Sequence, residues 1–128
     1  MLGPLSGTSE GSMTRLRAVS AKRRKVMRSR QEISKRLWDE RGPWCQMSTP
    51  VCTGLAQGLH EIVGRAQGGS EVDDRNLLLA ANSCNTWAED NPARAREMGL
   101  KCPRWAAVDG DGGLVPSDEW LRVHGRLT

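Results

Sequence analysis

The first long pattern of apolar and polar positions indicates a helix. Val26, Ile33 and Leu37 recur near one face of a segment that is otherwise mostly polar and rich in helix-forming residues. Ser20 is suited to the N-cap position, and Gly42, which a proline follows, is suited to the end of the helix. We therefore predict a helix between these two residues, with a narrow apolar stripe.

Two short apolar runs further along the chain predict strands. They cover about residues 59–63 and 77–80, and segments rich in glycine and polar residues bound them. Their length is typical of strands rather than of helices. We therefore expect two neighbouring strands joined by a loop that contains Gly68 and Gly69.

The helices that follow the second strand are recognised by their end signals. A helix is predicted to begin near Ser83. Asn91 and Pro92 then restart a helix in the N-cap and N1 positions, and Gly99 ends it. The stretch VDGDGG at 108–113 predicts a turn. The fold class expected is thus α+β, with an N-terminal basic helix, a small core and a C-terminal helical extension.

Charge is distributed unevenly along the chain. The protein has 128 residues and a formal net charge of +4, but residues 14–36 contain ten Lys or Arg and a single acid, Glu32. A basic arm next to a mildly acidic body is typical of proteins that bind polyanions. Five basic side chains are therefore predicted to contact DNA phosphates: Arg23, Arg24, Lys25, Arg28 and Arg30. The alternative is a solvated helix whose charges only keep the protein in solution.

Composition divides the chain into four segments. The first residues are rich in glycine and serine and lack apolar periodicity, which predicts a disordered leader. The segments expected are the leader at 1–13, the basic helical extension at 14–42, the core domain at 43–100 and the C-terminal extension at 101–128.

The four cysteines are expected to be thiols or metal ligands rather than disulfides. Neither an apolar signal segment nor a run long enough to span a membrane is visible in the sequence. Cysteines in a protein without a secretion signal are usually reduced. A chain with five Trp and no Phe or Tyr also has few large core residues, so a metal would help to stabilise it.

One stretch, LHEIVGRAQGGSEVDDRNLLLAANSC from residue 59 to residue 84, carries the most specific signal. It contains His-Glu-Ile-Val, Gly-Gly, Asn-Leu and a closing Cys-Asn, in that order. Over about residues 45–99 the chain resembles the HNH endonucleases, the ββα-metal nucleases. With its basic lead-in it is most similar to the small HNH proteins of tailed phages and prophages. The resemblance implies a ββα-metal core formed by two strands and a helix.

The resemblance also implies roles for four residues. His60 and Asn85 would bind a catalytic divalent ion, Mg²⁺ or Mn²⁺ or another divalent metal, which stabilises charge on a scissile phosphate. Glu61 falls at the general-base position, and Asn76 at that of an asparagine which braces the loop through its side chain. A slip of one residue would make His60 the base and Glu61 the ligand, and both registers remain open.

A structural zinc is a further implication of the resemblance. Members of the family often hold their strands together with two cysteine pairs around a tetrahedral zinc. Cys45, Cys52 and Cys84 match three of these positions, and Ala81 occupies the fourth. Cys102 is the candidate for the missing ligand, and its alternative role is that of a small buried residue.

The main hypothesis is therefore a divalent-metal-dependent HNH endonuclease that hydrolyses DNA phosphodiester bonds in phage genome processing or packaging. The alternative is a protein of the same fold that binds DNA or assists packaging but no longer cuts. A small zinc-stabilised interaction protein is a third class. The partners expected are DNA and phage packaging proteins such as the terminase, with neither a membrane nor a small-molecule substrate, and the expected location is the cytoplasm of the bacterial host.

Overall fold

A computed structural model of the protein describes residues 21–124 and 126 in full, and residues 2–20 only as backbone of the first helix. The disordered leader predicted at 1–13 lies outside the fully described residues. The backbone of the first helix begins at Leu2, so Ser20 lies inside the helix and the N-cap predicted there is wrong. In the described part of the chain, four α-helices and two antiparallel two-stranded sheets form an α+β architecture. The elements are α1 (Leu2–Arg41), β1 (Gly58–Glu61), β2 (Leu77–Ala80), α2 (Asn82–Asp90), α3 (Pro92–Glu97), β3 (Ala107–Gly110), β4 (Gly113–Pro116) and α4 (Asp118–Val123).

The long helix α1 ends where the sequence predicts. Its last residue is Arg41, and Gly42 follows with a φ of +86°, a conformation that glycine adopts without steric cost. Leu37 is fully buried against Leu77 and Leu79 of β2, with Ile33 packed at the edge of the same cluster. The narrow apolar stripe is thus sufficient to dock the helix on the sheet.

Strands β1 and β2 pair antiparallel, with His60 opposite Leu78 and Glu61 opposite Leu77. Strand β2 has the predicted bounds, but β1 ends two residues earlier than predicted. The reason is that Val63 donates its backbone N–H to the side chain of Asn76, at 2.7 Å, and leaves the strand ladder.

Helices α2 and α3 also follow their sequence signals. The first begins at Asn82, one residue before the predicted start, and the second has Asn91 as its N-cap and Pro92 in its first turn. Gly99 has a φ of +76°, as expected of a residue that ends a helix. Within the described residues, no helix is both long and apolar enough to cross a bilayer.

The C-terminal extension is not purely helical, which corrects the prediction. Strands β3 and β4 form a hairpin around the predicted turn, with Val108 opposite Val115. The hairpin is attached to the loop between β1 and β2, because Leu114 exchanges backbone hydrogen bonds with Gly68 and Ser70, each 2.8 Å long. The strands AVDG and GLVP each contain too few apolar positions for recognition, and the loop to which the hairpin is attached is distant in sequence.

Candidate functional site

The central pair of the candidate site links β1 to α2. His60 is buried in the middle of the sheet, and its Nδ1 lies 2.8 Å from Oδ1 of Asn85 in the first turn of α2. Because α2 begins two residues after β2 ends, the start of the helix lies beside the strand that carries the histidine. Two residues that are 25 positions apart in sequence thus meet side by side.

The ring of His60 is held from its other side by the backbone. Nε2 lies 2.5 Å from the carbonyl oxygen of Leu100, which can only accept a hydrogen bond, so Nε2 carries the hydrogen. In the neutral ring, Nδ1 is then a lone pair facing Oδ1 of Asn85. The orientation of that amide is supported by the bond of Nδ2 to the Leu59 carbonyl, at 3.4 Å. With the hydrogen on Nε2, the contact places a nitrogen lone pair next to an amide oxygen, and two such atoms can bind one metal ion.

Glu61, the next residue along β1, makes different contacts. Its Oε1 lies 3.4 Å from Nη1 of Arg30 on α1 and 3.6 Å from Nη2 of Arg65 in the following loop. Glu61 nevertheless shares with His60 and Asn85 the wall of one open depression of about 490 Å³. The structure therefore pairs His60, and not Glu61, with Asn85.

Asn76 braces the loop between the two strands. Its side chain is fully buried, accepts a hydrogen bond from the Val63 N–H and donates to the carbonyl oxygens of Val63 at 3.1 Å and Ser70 at 2.7 Å. Gly69 lies against the same backbone, where any Cβ atom would overlap the Val63 carbonyl. Gly68 has a φ of +88°. The glycine pair is therefore required by one close approach and one left-handed turn.

Three of the four cysteines converge. The Sγ atoms of Cys45, Cys52 and Cys84 all lie within 4.8 Å of one another and could hold a metal ion. Sulfur ligands at about 2.3 Å from a tetrahedral ion lie about 3.8 Å apart, so the group is close to a binding geometry. It connects the loop after α1 to the first turn of α2.

Each sulfur of this group also accepts a hydrogen bond. The backbone N–H of Met47 donates to Cys45 and that of Gly54 to Cys52, both at 3.4 Å, and the Thr49 hydroxyl donates to Cys84 at 3.1 Å. Such donors stabilise thiolates, the form that binds metals. Thr49 was not predicted, because a threonine inside a turn-rich loop gives no signal of its own.

The cysteine pKa values shift in opposite directions. Burial raises the pKa of the Cys45 thiol, but backbone hydrogen bonds, that from Ala81 the strongest, outweigh it and leave the pKa below its ordinary value. Burial raises the pKa of Cys84, and the hydroxyl of Thr49 opposes that rise only in part. The Ala81 position, which carries no thiol, thus contributes a hydrogen-bond donor to the cluster.

Cys102 does not join the cluster, which corrects its prediction as the fourth ligand. Among the described residues, the group of neighbouring sulfurs comprises the other three cysteines. The Cys102 thiol is buried and donates to the Pro103 carbonyl at 3.4 Å, and burial raises its pKa to about 11. These are the properties of a small buried residue rather than of a metal ligand.

The five basic residues predicted on α1 divide between two environments. Arg24, Lys25 and Arg28 are exposed. Arg23 and Arg30 face the body of the protein, where Arg23 pairs with Glu71 at 2.6 Å and Arg30 with Glu61. A run of charges in the sequence does not distinguish these faces, because the body that α1 docks against is distant in sequence.

Two further charged residues belong to this surface and were not predicted. Arg65 lines the depression that contains His60, and Glu71 pairs with both Arg65 and Arg23. Both stand in the loop around the glycine pair. Their position near the motif could have identified them as candidate site residues. The ion pair between Glu71 and Arg23 could not be predicted, because it forms only when α1 docks on this loop.

Comparison with family models, curated proteins and solved structures gives no match for this chain.

Proposed function

We propose that the protein is a divalent-metal-dependent endonuclease of the HNH type, which hydrolyses phosphodiester bonds of DNA. Phage genome processing or packaging, with a packaging protein such as the terminase as a partner, is the setting that the sequence resemblance suggests. The proposal is supported by the order of the motif in the fold: His60 lies on β1, Asn76 directly before β2, and Asn85 in the first turn of α2.

The contact between His60 and Asn85 is the single observation that carries the proposal. Ligands in neighbouring positions of an octahedral ion, each about 2.1 Å from it, lie about 3.0 Å apart. The 2.8 Å between Nδ1 and Oδ1 is compatible with that spacing. The Leu100 carbonyl fixes the ring as expected for a metal-binding histidine, whose second N–H usually donates to a backbone carbonyl or a carboxylate.

In this mechanism the residues of the chain have separate tasks. A bound Mg²⁺ or Mn²⁺ would supply positive charge to the phosphate as negative charge develops on it. His60 and Asn85 would hold that ion, and the Leu100 carbonyl orients the imidazole. Glu61 would accept the proton of the attacking water, because it lines the same depression without pairing with Asn85.

The cysteine cluster is proposed to bind zinc in a structural role. Thiolate ligands with backbone N–H donors suit Zn²⁺, and three of them leave the fourth position to a ligand from outside the cluster. Bound there, the ion would hold the loop containing Cys45 and Cys52 on the first turn of α2, next to Asn85.

One observation favours a second candidate, a DNA-binding protein of the same fold that does not cut. The only proton acceptor proposed for the reaction, Glu61, has its Oε1 engaged by Arg30 and Arg65. Both guanidinium groups compete with water for that oxygen. A protein in which they keep it would bind DNA without hydrolysing it.

Plasmid nicking distinguishes the two candidates. Supercoiled plasmid is incubated with the protein and Mg²⁺ or Mn²⁺, with EDTA as the blank. We expect nicking that Asn85→Ala abolishes and Asn85→Asp retains, because aspartate still offers an oxygen ligand. His124→Ala is the matched control, since the second histidine stacks on Trp120 and lies outside the depression.

Binding of Mn²⁺, followed by electron paramagnetic resonance, separates ligand loss from misfolding. The nuclease proposal fails if the wild type does not nick with either ion, or if Asn85→Ala nicks at the wild-type rate. DNA binding without any nicking would instead support the second candidate.

A further inference from the structure

Arg65 lies where three adjoining depressions meet. The first contains His60 and Asn85. The second, of about 280 Å³, lies along α1 and contains Arg23 and Arg30. The third, of about 300 Å³, lies beyond the loop after β1 and is also lined by Arg96 and Lys101. Arg65 is part of the wall of all three, so they form one continuous surface across the candidate site.

Both ends of this surface are basic. Arg23 and Arg30 border the end at α1. Arg96 and Lys101 border the opposite end, where the Lys101 ammonium pairs at 3.1 Å with Glu89, which lines the same depression. Arg65 is the cation between them. The surface therefore offers positive charge before, beside and beyond the depression that holds the proposed metal ligands, as a path for a polyanion requires.

Carboxylates hold the arginines in place along this path. Glu71 pairs with Arg65 at 3.0 Å and with Arg23 at 2.6 Å, and its backbone carbonyl accepts a bond from Arg30 at 3.0 Å. Glu61 lies between Arg30 and Arg65. Three guanidinium groups thus share two carboxylates, which leaves one net positive charge in the cluster.

The side chain of Arg65 can exchange a carboxylate for a phosphate. It is 56% exposed, so turning it toward a ligand disrupts no buried packing. A guanidinium group binds two oxygens of a phosphate with the same fork that it offers a carboxylate. The carboxylate of Glu71 therefore stands where a phosphate group would be recognised.

We propose that one strand of DNA follows the three depressions and that Arg65 binds a phosphate next to the one that is cut. This inference rests on the proposed function for the position of the cut, but the path itself concerns binding alone. It adds Arg65, Arg96 and Lys101 to the surface that contacts DNA, and it assigns Glu71 the role of competing with the phosphate.

Binding without cutting tests the path. The full chain is titrated into a fluorescent DNA duplex in buffer without added Mg²⁺ or Mn²⁺ and without a chelator, over a series of salt concentrations, and anisotropy gives Kd. The salt slope is the change in the logarithm of the binding constant with the logarithm of the salt concentration. Each phosphate contact contributes about 0.9 to its size, which corresponds to about a five- to tenfold change in affinity near 0.1 M salt. We expect Arg65→Ala to lose about one unit of slope and Arg65→Lys to retain it, because lysine keeps the charge.

Two further variants complete the design. Arg122→Ala is the control, since this arginine is exposed on α4 and lines none of the three depressions. Glu71→Gln removes the competitor without removing a cation, so we expect it to tighten binding severalfold. It also tests the path should Arg65→Ala fail to fold, which the melting temperature reveals.

The proposal is overturned if folded Arg65→Ala has the slope and Kd of Arg122→Ala, or if Glu71→Gln weakens binding. In the nicking assay with Mn²⁺, Arg65→Lys should lower kcat more than it raises KM, because lysine cannot bind two phosphate oxygens at once. A wild type that binds through Arg65 but never nicks would refute the nuclease proposal and leave the path intact.

Discussion

Replacement of Asn76 by alanine tests whether one buried amide holds the loop that carries the site. The variant removes an acceptor for the Val63 N–H and a donor to the carbonyl oxygens of Val63 and Ser70. Because Asn76 is fully buried, water cannot replace these partners without opening the loop.

The expected loss of stability follows from these three bonds. Each buried hydrogen bond contributes about 1 kcal/mol, and a buried donor left without a partner costs about 1–3 kcal/mol more. We therefore expect Asn76→Ala to lower the free energy of unfolding by about 4–6 kcal/mol. That is a large part of the roughly 5–15 kcal/mol typical of a whole domain.

Urea denaturation followed by circular dichroism measures this loss. With a slope of about 2 kcal/mol per molar urea, the midpoint should fall by about 2–3 M. Asn82→Ala is the matched control, because that asparagine is exposed at the start of α2 and should change stability by less than about 0.5 kcal/mol. Amide exchange at Val63 provides a local measurement, since its N–H loses its acceptor.

A small effect would refute this reasoning. If Asn76→Ala loses less than about 1 kcal/mol and the Val63 amide remains protected, the loop is held by other contacts. If stability falls as expected but Mn²⁺ binding at His60 and Asn85 persists in the folded fraction, the loop and the metal ligands are independent.

Three further predictions concern other parts of the fold. The pKa of Asp73 is about 2, and the main cause is a hydrogen bond from the side chain of Arg75. This lowered pKa contributes at most about 2 kcal/mol to the free energy of unfolding. The contribution is present above about pH 4 and is lost as the pH falls toward about 2. Urea titrations measure the unfolding free energy at pH 5 and at pH 2.5. The wild type should lose more stability between the two pH values than Asp73→Asn does. Metal analysis should find about one zinc per chain, which Cys102→Ala retains and Cys84→Ala loses. Removal of the zinc by a chelator should lower the melting temperature. A wild type that contains no zinc, or whose stability a chelator leaves unchanged, would contradict this prediction. Gly69→Ala should destabilise the protein by about 3 kcal/mol, because its Cβ would overlap backbone, whereas Gly58→Ala, with open space around it, should be nearly neutral in the same urea assay.

Local signals account for the parts of the fold that were predicted correctly. The end of α1 at Gly42, the strand β2 and the start of α3 at Asn91 depend on backbone conformation and on hydrogen bonds within a few residues. The hairpin of β3 and β4 was missed except for its turn, because short strands are stabilised by the segment against which they pack, here the loop near Gly68.

The order of residues in the motif was sufficient to select His60, Asn76 and Asn85 as a group. It could not reveal that the ring of His60 is fixed by the carbonyl of Leu100, because a backbone acceptor can come from any residue. For the same reason Cys102 could not be separated from the other cysteines by spacing alone. The distance between sulfur atoms is set by packing across the whole domain.

The sequence by itself determined where α1 ends, where α3 begins and ends, and the strand β2. It also determined the order of the candidate site residues and the concentration of positive charge on α1. Only the tertiary structure decided which of those charges face the body. Arg23 and Arg30 are paired with Glu71 and Glu61 because α1 lies against the loop that carries these acids. Such pairing depends on how distant elements dock, and side-chain periodicity describes only the face that a single element presents.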